Sequence, residues 1–111
     1  MPPAEIAVVL TSVGSEENAS VIGRTLVDLK LAACVSILSP VRSMYIWKGS
    51  LCDDREWLLL VKTRRALFPD VRSKILELHT YELPEVLCIP VSDGHEAYLD
   101  WLLASTRSPE T

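Results

Sequence analysis

The densest chemistry in this chain lies in His79-Thr80-Tyr81-Glu82-Leu83-Pro84-Glu85, where an imidazole, a phenol and two carboxylates crowd one short segment. A histidine beside carboxylates can ligate a borderline metal such as copper or zinc. A histidine at the C-terminus of a helix can equally serve the helix dipole, and both readings stay open. Lys62 closes an apolar run and precedes Thr63-Arg64-Arg65. It reads either as a solvated strand end or as part of a pocket for a small anion. Cys34 and Cys88 sit within apolar runs, where a free cysteine acts as a small hydrophobe. Cys52, near a turn, is open to oxidation or metal, with only Arg55 close by to favour a thiolate. Tyr45, Trp47 and Trp57 gather around that same turn as packing groups. Trp101 falls at a packing position, and His95 at a solvated helix start. No Walker loop, GxGxxG, HExxH or GxSxG occurs, so the common catalytic signatures fail and no enzyme is expected.

Composition narrows the class further. With 111 residues, 49% of them hydrophobic and 23% charged, the chain reads as one globular domain spanning residues 1–111. A chain this size can bury roughly two thirds of its unfolded surface, enough for a core without staples. The formal net charge is −4, and Lys and Arg cluster no further than Arg64-Arg65. Nucleic acid and anionic membrane surfaces are therefore poor partners. Three cysteines without a CxxC spacing point to a reducing compartment, against a zinc ribbon or redox pair. The opening MPPAEIAVVL lacks the pattern of a signal peptide, and wholly apolar runs stop at about five residues. A cytoplasmic protein is expected.

The elements that must position these residues follow from hydrophobic spacing. Ile6 to Leu10 is a continuous apolar run, as in a strand buried on both faces. Ser15 can cap a helix whose first turn holds Glu16 and Glu17, with Ala19, Ile22, Leu26 and Leu29 forming its apolar stripe to near Lys30. Ala33 to Leu38 reads as a second strand, interrupted at Pro40, where a bulge or an edge position is needed. It resumes over Met44 to Trp47, turns at Lys48-Gly49-Ser50, and returns as Trp57 to Val61. A helix after Pro69 carries Val71, Ile75 and Leu78 and ends near His79. Tyr81 to Pro84 is a loop, and Val86 to Val91 a fourth strand. Asp93 and Glu96 make a capping-box pattern for a last helix through Tyr98, Trp101 and Leu102, and the tail from Ser105 is expected to fray.

The order β-α-β-β-α-β plus a C-terminal helix is that of an α+β, ferredoxin-like split β-α-β sandwich. Two helices can cover only one face of such a sheet, yet at least two strands are apolar on both. The uncovered face must be buried, and another copy of the same sheet is the simplest cover. The long hairpin could also reach a neighbour and add edge pairing.

The sequence resembles the CutA family of divalent-ion tolerance proteins. The blocks that carry the resemblance are Lys30-Leu31-Ala32-Ala33-Cys34-Val35, Tyr45-x-Trp47-x-Gly49-x-Leu51, Lys62-Thr63, His79 to Glu85, and Tyr98-Leu99-Asp100-Trp101-Leu102. They run in one order from about residue 6 to residue 105. The resemblance implies a homotrimer with its sheets around a central axis. It also implies a tolerance role toward copper and other divalent cations, with no required cofactor and no defined reaction. Copper-binding members carry proposed ligands at a cysteine near the end of the first strand and at a histidine pair. Those positions are Thr11 and Leu78-His79 here, and Thr80 replaces a proline. Only His79 is carried over as a metal ligand, with Glu82, Glu85 or other subunits to complete it.

A different class is a small-molecule sensor or scaffold similar to the nitrogen-regulatory signalling proteins, with Lys62, Arg64 and Tyr81 lining a cleft for an anion. An acylphosphatase-like enzyme needs an arginine after the first strand, and Thr11 to Ser15 has none. An RNA-recognition module needs stacking aromatics on the first strand, which are also missing.

Overall fold

The computed structural model describes residues 5–109; the first four residues, part of the segment on which the signal-peptide expectation rests, lie outside them. Four strands and three helices follow in the order β1 (Ile6–Val13), α1 (Glu16–Asp28), β2 (Cys34–Trp47), β3 (Ser50–Arg64), α2 (Phe68–Leu78), β4 (Leu87–Pro90) and α3 (Glu96–Ala104). A 3-10 turn, Arg65–Leu67, joins β3 to α2. The sheet runs β2-β3-β1-β4 and every pairing is antiparallel. This is the ferredoxin-like architecture, with β1 and β3 central. No helix among the described residues is long and apolar enough to cross a membrane.

Alternation along β1 divides the sheet into two environments. Val9 and Val13 point to one face and join Ala19, Ile22 and Leu26 of α1, Val71 and Ile75 of α2, and Leu59 and Val61 of β3 in the main core. Ile6 points to the opposite face, where it meets Leu99, Leu102 and Leu103 of α3. The third helix covers only that corner. Beyond it, register places Leu38, Leu58 and Ser12 in one row and Ser36, Leu60, Leu10 and Leu87 in the next. Leu38, Leu87 and Ile89 are 42%, 50% and 45% exposed on this open face. The two-faced strands inferred from sequence thus correspond to one covered and one uncovered apolar surface.

Local chemistry sets the element ends. Ser15 Oγ accepts from the Asn18 N–H at 3.1 Å and caps α1. The helix closes through Lys30, whose φ of 57° puts a side chain in the left-handed region that glycine favours. The hairpin turns on Lys48 and Gly49 at φ 50° and 80°, the signs of a two-residue type I′ turn. Pro40 sits where the β2–β3 register slips between Leu38 and Val41, so a bulge on an edge strand absorbs it.

Four sequence expectations need correction. Leu29 is exposed and forms the C-cap rather than part of the core stripe. Asp93 does not cap α3; it accepts the Gly94 N–H, and the helix starts after His95 without a side-chain cap. Trp101 is not packed but 48% exposed, stacked against Tyr98 with ring centroids 5.5 Å apart. The segment after Ser105 does not fray at once. Thr106 is buried, Arg64 Nε donates to its Oγ1 at 2.8 Å, and the Arg107 N–H donates to the Lys30 carbonyl.

Candidate functional site

The end of β1 gathers a polar cluster from four parts of the chain. His79 follows the last turn of α2, and its Nε2 lies 2.8 Å from the Ser12 carbonyl. Its Nδ1 accepts the Tyr81 N–H at 3.1 Å. A nitrogen that accepts cannot carry the proton of a neutral imidazole, so Nε2–H donates to Ser12 and the tautomer is fixed. Both ring nitrogens are therefore committed to main chain. The same turn lays the Tyr81 ring 4.8 Å from the imidazole.

Tyr81 continues the network onto β3. Its hydroxyl donates to Glu56 Oε2 at 2.6 Å, and Glu56 is only 5% exposed. Burial first, and then this bond, hold the Tyr81 phenol far above the ordinary tyrosine range. Gly14 permits the approach: a Cβ there would come within 3.1 Å of both Tyr81 Cε1 and its hydroxyl. Ser12 Oγ donates to Glu85 Oε1 at 2.8 Å. Beside them on the hairpin, the Tyr45 hydroxyl donates to Asp54, which pushes that phenol up to about 12.

The residues singled out from sequence do not all meet here. His79, Tyr81 and Glu85 do, whereas Glu82 turns away to Lys48, 3.6 Å off. Lys62 lies on the same open face but opposite Val8, four residues along β1 from Ser12, or ~13 Å at strand spacing. Its Nζ donates to Ser36 Oγ at 2.8 Å and stands 3.8 Å from Cys34 Sγ. Arg64 is tied to the C-terminal segment through Leu103 and Thr106. All three cysteines are free and half-buried, Cys52 included. Thr11 is fully buried with no partner for its hydroxyl, and among the described residues no group of three His, Cys, Asp or Glu is placed to hold a metal ion. Sequence reasoning missed Ser12, Gly14 and Glu56. The one available signal was Glu56 itself, a lone carboxylate abutting the apolar run Trp57 to Val61.

Residues 7–105 match the model of the family described as CutA1 divalent ion tolerance protein. The chain belongs to this family. All members of the polar cluster, and Lys62, fall inside the matched span. The CutA1 relationship extends to a divalent-cation tolerance protein CutA of Thermus thermophilus, 44% identical over 99 residues, 89% of this chain and 96% of that protein. Human protein CutA is 34% identical over 106 residues, which cover 96% of this chain and 59% of the human one. Among solved structures, a CutA1 from Oryza sativa superposes with a TM-score of 0.90 at 36% identity, covering 93% of this chain and 94% of that one. The Thermus thermophilus Cut A1 structure gives 0.88 at 43% identity, covering 92% and 99%.

Proposed function

We propose that this chain, a single domain over residues 1–111, acts as a cytoplasmic homotrimer in tolerance of divalent cations. It engages Cu(II) or similar ions weakly through His79 and catalyses no reaction. Membership of the CutA1 family supports the tolerance role, and three free cysteines suit a reducing compartment. The observation that carries the metal reading is the state of His79. A ligating imidazole must present a lone pair, and the one on Nδ1 already holds the Tyr81 N–H. A metal at Nδ1 has to replace that bond, and one at Nε2 must displace the proton given to Ser12. Either exchange lowers affinity. The uncovered apolar face supports assembly, with the exposed hairpin residues Met44, Ile46 and Leu51 available to reach a neighbour.

The test is native mass spectrometry of the reduced protein with and without Cu(II), followed by calorimetric titration. Expected are a trimer, weak Cu(II) binding, and at least a tenfold loss of affinity, on the order of other ligand removals, in His79→Ala without a change of assembly. Unchanged binding in that variant removes His79 from the reading.

A second reading, a small-molecule sensor, is favoured by the position of Lys62 and Tyr81 on one open face. Since ~13 Å of strand separates their surroundings, a pocket holding both would form between copies, with an anion as ligand. Binding of inorganic phosphate or a small dicarboxylate to the metal-free trimer, lost in Lys62→Met and Tyr81→Phe, would support it over the first.

A further inference from the structure

Lys62 is out of place for a face about to be covered. Its neighbours across the ladder are Val8 and, one strand on, Ile89, and the next row is Ser36, Leu60, Leu10 and Leu87. The ammonium has Ser36 Oγ and the edge of Cys34 Sγ for company, and among the described residues it forms no ion pair. Covering the face by another sheet strips water from this charge, and an unanswered buried ammonium is strongly destabilising. Something must bring a negative charge to it.

Several charged groups around this face are already engaged, while Glu96 and Asp100 of α3 stand exposed at the corner that this helix covers. Arg64 holds the C-terminal segment, Glu56 holds Tyr81, Asp54 holds Tyr45, Asp53 pairs with Arg42, and Glu82 with Lys48. Glu85 is different. It is exposed, touches Ser12 Oγ at the far end of the same face, and forms no ion pair among the described residues. Lys62 and Glu85 do not meet within one chain: ~13 Å of strand separates Val8, opposite Lys62, from Ser12, and the ammonium is turned to Ser36 while the carboxylate is held at Ser12.

We infer that Lys62 forms an ion pair with the partner's Glu85 when copies of this chain assemble through their open faces. The inference rests on the assembly proposed above. In a ring closed by rotation each copy donates Lys62 to one neighbour and receives Lys62 from the other, so every charge is answered. The pair also sets register, since sliding one sheet along its neighbour separates the charges.

Charge exchange tests this. Lys62→Glu and Glu85→Lys are each compared with the double swap by light scattering over a dilution series, with circular dichroism to check folding. Each single swap should weaken assembly at least about tenfold at low salt, and the double swap should recover most of that. If a swapped chain fails to fold, Lys62→Met and Glu85→Gln replace it, and each should abolish the same salt-sensitive part of assembly. Single swaps that leave dissociation within about twofold of the parent, or a double swap no better than either single, overturn the pair. So does stabilisation by inorganic phosphate that depends on Lys62 but not on Glu85, which would make the counter-charge a small anion. A parent chain that is monomeric at every concentration overturns the assembly reading itself, an outcome the variants cannot mimic.

Discussion

At the scale of single residues, Tyr81 and Glu56 set the behaviour of the polar cluster. Glu56 is almost fully buried, and the hydrogen bond it receives is the Tyr81 hydroxyl. Removing that donor leaves a buried carboxylate oxygen unpaired, so Tyr81→Phe should lower stability at neutral pH by about 1–3 kcal/mol. The sign is the reverse of that for a carboxylate held low by an ion pair, whose contribution is lost as pH falls. A phenol whose folded value lies above the ordinary 10.0 stabilises the fold below pH 10, and that contribution is lost as pH rises. Tyr45, pushed up to about 12 by Asp54, follows the same rule. Denaturant midpoints should therefore fall above pH 10, and the fall should be smaller in Tyr81→Phe than in the parent. A phenolate absorbance titration checks this directly: a full complement of tyrosines ionising together near pH 10 would contradict both bonds. His79 belongs to the same scale. Its chemistry is decided by a carbonyl 67 residues away and an N–H two residues away, so neither its tautomer nor the loading of its nitrogens could be read from the HTYELPE segment.

At the scale of elements, the ends of α1 offer the clearest energetics. Ser15→Ala removes the side-chain acceptor for the Asn18 N–H and should cost about 1 kcal/mol. Lys30→Gly relieves a left-handed non-glycine residue and should add about 0.5–1 kcal/mol. Urea melts of the two variants should shift in opposite directions, and a shift in the same direction would show that the helix ends do not control stability. The elements also show where sequence patterns are legible. Runs such as Ile6 to Leu10 and Trp57 to Val61 are visible because core burial and β periodicity agree there. The hairpin is legible in its first arm, Met44 to Trp47, and in its turn, but not in the start of β3, because Leu51 is exposed and the charged run Asp53 to Glu56 resembles a turn. The same resemblance hid Glu56 from the candidate site: only the pairing of β3 with β1, and the fold of the loop after α2, bring it to Tyr81 across 25 residues. Asp93 misled for a local reason. Its side chain finds the next N–H, at Gly94, before any helix begins.

At the scale of the whole molecule, the question is how one sheet serves two surfaces. Leu59 and Leu60 are adjacent in β3 and so point to opposite faces. Leu59 is fully buried against α1 and α2, whereas Leu60 is half-buried among Ser36, Leu10 and Leu87 on the open side. A charge at the first position enters the core, where an unpaired carboxylate cannot be solvated, so Leu59→Asp should lose more than about 4 kcal/mol and leave little folded chain. A charge at the second stays wet in an isolated chain and becomes costly only when another copy covers it. Leu60→Asp should therefore keep the parent's circular dichroism and lose its assembly in light scattering. The contrast separates the two roles of the strand: if Leu60→Asp remains assembled, the open face is not where copies meet, and if Leu59→Asp folds normally, the division of the sheet into a covered and an uncovered side is wrong.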